Sequence, residues 1–287
     1  MKQRASRAIR AAMITAGITL AFVPSLLFRV HRAQNENLIA AAMIEAREND
    51  RETLEKRKEE AVQWNAELVA EGAQTVLSAA GRDQVESDYS YEAYASKLDW
   101  MDEGIMGVLR IPAIDCELPI YHGTGEEALA SGAGHIPWSA LPVGGIGNRT
   151  VLSSHRGMAQ AELFTRLDEL KKGDLLFVEN PLETLVYEVT DQQVILPQEA
   201  EQLAPRTDED LLTLMTCTPY GINTHRLLVN AKRIEADQKK DVKKLEESAD
   251  ERMPGWRTLA LDAWPFCLLM MAGIVVVWRH RNKPPRL

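Results

Sequence analysis

Thr213-Leu-Met-Thr-Cys217-Thr-Pro-Tyr-Gly-Ile-Asn-Thr-His-Arg226 sets one cysteine at the end of an apolar run and one arginine nine residues later, with Pro219-Tyr-Gly221 between them. Leu211 to Leu214 and Leu227 to Val229 are largely apolar and the middle is a strong turn signal, so the region reads as strand, loop, strand. On opposed strands Cys217 and Arg226 lie side by side. A thiol attacks acyl carbon as the thiolate, which needs a proton acceptor and a cation close by. Arg226 supplies the cation, and a histidine is available upstream. The competing reading is a cysteine packed in a core strand.

Outward from this hairpin, short apolar runs broken by turn signals recur: Gly107 to Ile111, Cys116 to Tyr121, Thr150 to Ser153, Leu175 to Val178, Thr184 to Val194, Leu211 to Thr216 and Arg226 to Arg233. Many short strands argue for a mostly β barrel or sandwich. Leu163, Leu167 and Leu170 at helical spacing predict a short helix over Ala161 to Lys171. Ala33 to Ala70 has no Gly or Pro and spaces Leu38, Met43, Ile44, Leu54, Val62 and Leu68 among charged residues, which predicts one or two amphipathic helices. Gly72 to Asp99 is polar and weakly patterned and reads as a loop, and Ile234 to Met253 reads as a charged helical linker.

The hairpin motif resembles the signature of the sortases, membrane-anchored cysteine transpeptidases whose core pattern is Thr-Leu-x-Thr-Cys followed by an arginine. Val151-Leu-Ser-Ser-His155-Arg-Gly157 resembles the segment that carries that family's histidine, and Glu162 to Leu170 continues in its manner. Tyr121-His-Gly-Thr124, Gly134-His135, Leu141-Pro-Val-Gly-Gly145 and Trp64-Asn-Ala-Glu-Leu68 look most like class C, the pilin-polymerising branch. The resemblance covers roughly Trp64 to Arg233 and the hydrophobic ends. It implies an eight-stranded sortase-type β-barrel with amino-terminal helices and a transmembrane helix at each end, an architecture that strand propensity alone does not select.

The two ends fit an anchored protein. Ala11 to Phe28 carries no charge over 18 residues, about 27 Å as a helix, close to a bilayer core. Lys2, Arg4, Arg7 and Arg10 precede it and no small-x-small cleavage site follows, which favours a retained anchor. Ala263 to Trp278 is a second uncharged run, followed by Arg279, His280, Arg281, Lys283 and Arg286. Basic flanks on both outer sides place both termini in the cytoplasm and the domain between them outside the cell membrane. A buried core helix is the alternative reading of either run. The divisions expected are 1–32 cytoplasmic tail and anchor, 33–71 helices, 72–103 lid-like loop, 104–233 barrel, 234–258 charged linker and 259–287 second membrane segment with a basic tail.

A net charge of −9, with no compact basic stripe outside the termini, gives no support for a nucleic-acid partner, and none is expected. No Cys-x-x-Cys pair or His-Glu-x-x-His helix suggests a metal, and no cofactor is called for. Of three cysteines, Cys267 lies in the second membrane run and Cys116 in the alternation Ile111 to Ile120, so both read as packing residues and Cys217 as a free thiol.

His122, His135, His155 and His225 all lie between the hydrophobic ends, and periodicity does not choose among them. His225 adjoins Arg226 and so points to the opposite strand face. The resemblance selects His155. It implies that Cys217 attacks the Thr-Gly carbonyl of a Leu-Pro-x-Thr-Gly-type sorting signal, His155 protonates the leaving amine and Arg226 holds the substrate and stabilises the oxyanion. The acyl group then passes to a lysine amine of another pilin subunit. Thr216 either donates a hydrogen bond to the substrate or serves as a β-branched strand residue. Class C sortases often carry a lid with an Asp-Pro-aromatic anchor; here Asp88-Tyr89 and Asp99-Trp100 lack the proline, which predicts a degenerate lid or an open groove. Asn230-Ala231 stands where the class usually has Arg-Gly, a change expected to touch only the strand's end. The rival readings are a housekeeping sortase anchoring surface proteins to peptidoglycan and a noncatalytic membrane-tethered scaffold.

Overall fold

The computed structural model describes residues 29–71, 89–101, 104–158, 161–235 and 239–250, together with Met13, Val23 and Leu27. The expected anchor Ala11 to Phe28 falls almost wholly outside the described residues, and the second run Ala263 to Trp278, Cys267 and Asp88 fall entirely outside them. Among the described residues no helix is long and apolar enough to cross a membrane.

Eight strands close into one barrel: β1 (Ile105–Ile111), β2 (Cys116–His122), β3 (Ala133–His135), β4 (Arg149–Ser153), β5 (Leu175–Glu179), β6 (Thr184–Ile195), β7 (Leu211–Thr218) and β8 (His225–Arg233), in the order β1-β2-β3-β4-β7-β8-β6-β5. β2 pairs with β3 and β4 with β7 in parallel, and the other neighbours are antiparallel. The strand the sequence did not show is β3, whose three residues are too few to display an alternation.

Alternation sorts the side chains into two sets. Leu109, Leu152, Leu176, Val178, Leu185, Tyr187, Leu212, Leu214, Leu227 and Val229 fill the barrel. Two smaller apolar clusters lie on its outside. One gathers Ile136, Val151, Ile195, Leu203 and Leu228 with Trp138 and Met215. The other seats the carboxy-terminal helix through Val242, Leu245 and Ala249 on Leu175, Phe177 and Val186.

Helices surround this barrel. Residues 29–48 are helical (α1) and α2 spans Arg51–Glu71. Ile39, Ala42, Met43 and Ala46 recur at helical spacing on the buried side of α1, and Leu54 and Ala61 on that of α2. Asn65 of α2 is buried and grips Leu141 by both backbone groups, donating to its carbonyl at 3.1 Å and accepting from its N–H at 2.7 Å. α3 (Tyr89–Ala95) follows, then α4 (Glu126–Ser131) between β2 and β3, and α5 (Lys239–Asp250) after β8.

Three expectations change. The stretch 72–99 is not loop throughout: α3 forms because Tyr94 buries its ring beside His122 and His135, which a loop would leave in water. Ala161 to Lys171 is not an α-helix. Leu163 has φ +43, which breaks the turn, and only Leu167–Glu169 is helical, as 3-10; the three leucines are buried all the same. The charged linker is helical over Lys239–Asp250, as expected, but is packed on the barrel rather than a bare connection, with Arg110 paired to Glu246 at 2.7 Å.

The strand directions give the barrel two poles. One carries the β1–β2 corner and the carboxy-terminal ends of β4, β6 and β7; the other carries the starts of β1, β4 and β7 and the ends of β2 and β8. α2 and α3 lie on the second pole, where Lys58 reaches Glu183, Asn65 reaches Leu141 and Lys97 O meets His122 Nε2.

Candidate active site

Cys217 sits one residue before the end of β7, and its neighbours are fixed by two different pairings. Across the antiparallel β7–β8 ladder its partner is Arg226. Across the parallel β4–β7 ladder Ser153 is level with Met215, so two residues on each side bring His155 level with Cys217. The ladder holds past the end of β4, because Ser154 N–H donates to Met215 O at 3.2 Å and the Thr216 hydroxyl donates to Ser154 O at 2.8 Å. Adjacent strands lie about 4.8 Å apart. The thiol therefore has the imidazole one strand away on one side and the guanidinium one strand away on the other.

All three face outward. Leu212 and Leu214 point into the barrel, so the odd-numbered Thr213, Met215 and Cys217 point out; Leu227 points in, so Arg226 points out. The outer cluster of Val151, Met215, Leu228, Ile195 and Leu203 continues this face below the thiol, with Trp138 partly exposed at its edge. Cys217 and His155 are each partly exposed.

The turn between β7 and β8 needs backbone freedom that the sequence supplies. Gly221 has φ +75 and Asn223 φ +62, and the Pro219 carbonyl accepts from Ile222 N and Asn223 N at 3.0 Å. Arg226 is held by this turn, donating to Asn223 O at 3.3 Å and His225 O at 3.2 Å. The histidine segment is braced against the same turn. Arg156 donates to Thr218 Oγ1 at 3.1 Å and pairs with Asp168 at 2.7 Å, and Gly157 N donates to Thr165 Oγ1 at 3.0 Å. Gly157 has φ +84, and a Cβ there would stand 2.6 Å from the Tyr220 ring.

The other residues singled out from sequence fall into place around this centre. Thr216 is buried and turned inward, and its hydroxyl is committed to Ser154 O rather than presented to the outer face. His225 pairs with its own neighbour Thr224. His122 and His135 are engaged elsewhere: His122 meets Gly104 O and Lys97 O, while His135 is fully buried between Tyr94 Oη at 2.8 Å and Ala140 O at 2.9 Å, and burial holds its pKa down to about 3. Of the lid candidates, Tyr89 opens α3, Asp99 is exposed and Trp100 is buried with its indole N–H on Met106 O at 2.8 Å. Asp99 and Trp100 do not cover the thiol; they lie at the β1 start, the pole opposite Cys217, because Trp100 packs into the barrel's base. Cys116 donates weakly to Leu163 O at 3.8 Å and burial pushes its thiol up to about 12, which makes it unreactive.

Two participants were missed. Glu126, at the start of α4, brings a carboxylate oxygen to 3.6 Å from His155 Nε2; it is solvent-exposed and 29 positions away, and no local pattern marks it. Arg156 stands inside the motif segment and could have been noticed there. Asn230 also does more than end a strand. It accepts from Arg149 at 3.1 Å and from Thr213 at 3.0 Å and donates to Asp191 at 2.8 Å, linking β4, β6, β7 and β8. Arg149 also donates to Ala204 O at 2.9 Å, which ties down the segment carrying Leu203.

Comparison with known proteins agrees with this geometry. Residues 109–234 match the sortase domain family. The chain is 31% identical over 131 residues to sortase D of Bacillus subtilis, a match covering 45% of this chain and 63% of that one, so it spans less than two thirds of this curated relative. Among solved structures it superposes on sortase C-1 of Actinomyces oris at a TM-score of 0.57 and 36% identity, covering 64% of this chain and 99% of the other. It superposes on sortase C of Streptococcus pneumoniae, a structure reported for its bearing on catalysis and pilin substrate specificity, at 0.59 and 35%, covering 70% and 97%. A cysteine flanked by histidine and arginine on the outer face of this barrel, found in a chain that accounts for nearly all of a solved sortase at more than a third identity, makes the protein a member of the sortase family.

Proposed function

We propose that the protein is a membrane-anchored cysteine transpeptidase that cuts a Leu-Pro-x-Thr-Gly-type sorting signal between Thr and Gly and joins the acyl group to a lysine amine of a pilin subunit. One observation carries the chemistry: the β4–β7 and β7–β8 registers set His155 and Arg226 on either side of an outward Cys217. The thiolate sulfur adds to the threonine carbonyl carbon, and the oxyanion forms on the side where the Arg226 guanidinium can donate to it. His155 hands a proton to the glycine nitrogen as the C–N bond breaks, leaving a thioester. A neutral lysine amine then adds to the thioester carbonyl, His155 takes its proton, and the sulfur leaves as the thiolate, regenerating the starting pair. The outer apolar cluster beside Cys217 supports a signal with apolar residues before the threonine.

The solved sortase C chains, matched at 35–36% identity over nearly their whole length, support the polymerising branch. The apolar runs at residues 11–28 and 263–278, each beside basic residues, support an anchor at both ends with the barrel outside the cell. Intact-mass spectrometry after incubation with a Leu-Pro-x-Thr-Gly peptide tests the first half-reaction. An adduct equal to the peptide cut after threonine, absent from Cys217→Ala, is expected; no adduct at any lid or loop deletion returns the chain to the scaffold reading.

A further inference from the structure

Resting on the anchored reading above, we propose that the pole carrying Cys217 is the pole that faces the bilayer, so that the thiol meets its substrate at the membrane surface. The first support is where the chain enters. Arg32 of α1 makes a two-pronged pair with Asp115, in the corner between β1 and β2. Asn35 then donates to Ser131 O at 3.3 Å, beside the Gly132 carbonyl that accepts from Ser154, the residue before His155. Along the same face of α1, a cleft runs from His31 and Glu126, the latter beside His155, past Leu38 to Gly104, which precedes the start of β1. α1 thus runs from the thiol pole towards the opposite one, and its upstream direction points beyond the thiol pole. The apolar run ends at Phe28, directly before the first residue of the described helix, Arg29.

The second support is where the chain leaves. β8 ends at the opposite pole, and α5 then returns along β5 and β1: Val242, Leu245 and Ala249 pack on Leu175, Phe177 and Val186, and Glu246 pairs with Arg110 near the end of β1. The helix also lies against Pro112–Ile114, the same corner that holds Arg32. Both connections to the hydrophobic ends therefore open at the thiol pole.

The third support is independent of both. Of the large apolar side chains that the barrel exposes, Val194, Leu196, Tyr220 and Ile222 stand at the thiol pole and only Ile146 at the other, among the described residues. Ile222 is 67% exposed at the tip of the β7–β8 turn. An aromatic and branched aliphatics at the rim suit the headgroup boundary, where apolar bodies and polar tips are both accommodated. The opposite pole is already covered by α2 and α3. A polypeptide held in the same membrane could then offer its signal to Cys217 within a few residues of its own anchor, whereas a soluble protein would have to reach under the barrel.

The test uses the full chain in phosphatidylcholine–phosphatidylglycerol vesicles, with a fluorescent amino acid placed at Ile222 in one variant and at exposed Ser96 of the opposite pole in another. The strands make the poles about 25 Å apart, beyond the range of contact quenching. Lipids carrying a nitroxide at headgroup level should quench the Ile222 label several-fold more than the Ser96 label. A floating chain whose Ser96 label is quenched as much or more, or whose Ile222 label responds only to added sorting-signal peptide, overturns this orientation while leaving the anchor intact. A chain that fails to float with the vesicles overturns the anchored reading and the orientation with it.

Discussion

Acidification should unlock the helix-covered pole through one imidazole. His135 is fully buried, with Tyr94 Oη on Nδ1 and Ala140 O on Nε2, and burial lowers its pKa from 6.5 to about 3. In the neutral ring Nε2–H donates to Ala140 and Nδ1 accepts from Tyr94, whose oxygen in turn accepts from Gly123 N at 3.0 Å. The unfolded chain takes up a proton near pH 6.5 and the folded chain does not, so the stabilisation is complete above pH 6.5 and is lost as pH falls from there towards 3. The slope is about 1.4 kcal/mol per pH unit, so going from pH 7 to pH 5 should remove about 2 kcal/mol, a large part of the 5–15 typical of a domain. Urea melts of residues 29–250 followed by tryptophan fluorescence, at pH 7 and pH 5, measure this directly. His135→Gln cannot titrate and should flatten the difference between the two pH values, even though it lowers stability at both. An unchanged loss in His135→Gln would refute the assignment, because the proton would then be entering elsewhere.

The chemical assignment predicts that Cys217→Ala yields no thioester and no turnover, and that Arg226→Ala keeps its urea midpoint while kcat/KM for peptide cleavage falls by about 10²–10³, the usual loss for a removed oxyanion donor; wild-type turnover by either variant removes that residue from the mechanism. Gly157→Ala forces a methyl into the Tyr220 ring at a left-handed backbone position; kcat should drop as the His155 segment shifts, with the circular-dichroism spectrum unchanged, and full activity would show that the brace is idle. Arg149→Met frees Ala204 O and Asn230 from a buried donor; it should cost about 1–3 kcal/mol in urea melts and raise KM more than it lowers kcat, since Leu203 loses its tether but Cys217 does not.

What the sequence displayed depended on distance along the chain. The Cys217–Arg226 pair is a hairpin contact, and turn chemistry at Pro219 to Gly221 is enough to set the two residues opposite each other. His155 is 62 positions from Cys217, and its approach depends on a parallel pairing of β4 with β7 that no local period encodes; only the motif around it gave it away. The same limit explains the lid. Asp99 and Trp100 satisfy a pattern of acid before aromatic, yet their place is decided by Trp100 meeting Met106 O and by Tyr94 meeting His135, contacts that no local period encodes.

Asn230 shows how a departure from a family pattern can be misjudged from its position alone. Counted along β8 it stands three residues from the end, which suggested a minor change. In the sheet it is the meeting point of four strands, and the buried arginine its neighbours require comes from β4, as Arg149, with neutral partners Thr213, Asn230 and Ala204. Burial lowers that guanidinium to about 10, and its bonds offset the desolvation only while all three partners are present. An arginine so placed fixes the segment that carries Leu203 of the outer apolar cluster, so the apolar face below Cys217 is shaped by a residue on β4, the strand that leads to His155. If the sorting signal lies on that face, as proposed, changes at Asn230 should appear first in the KM for the signal peptide and only afterwards in the kcat of acyl transfer, both read from steady-state cleavage assays.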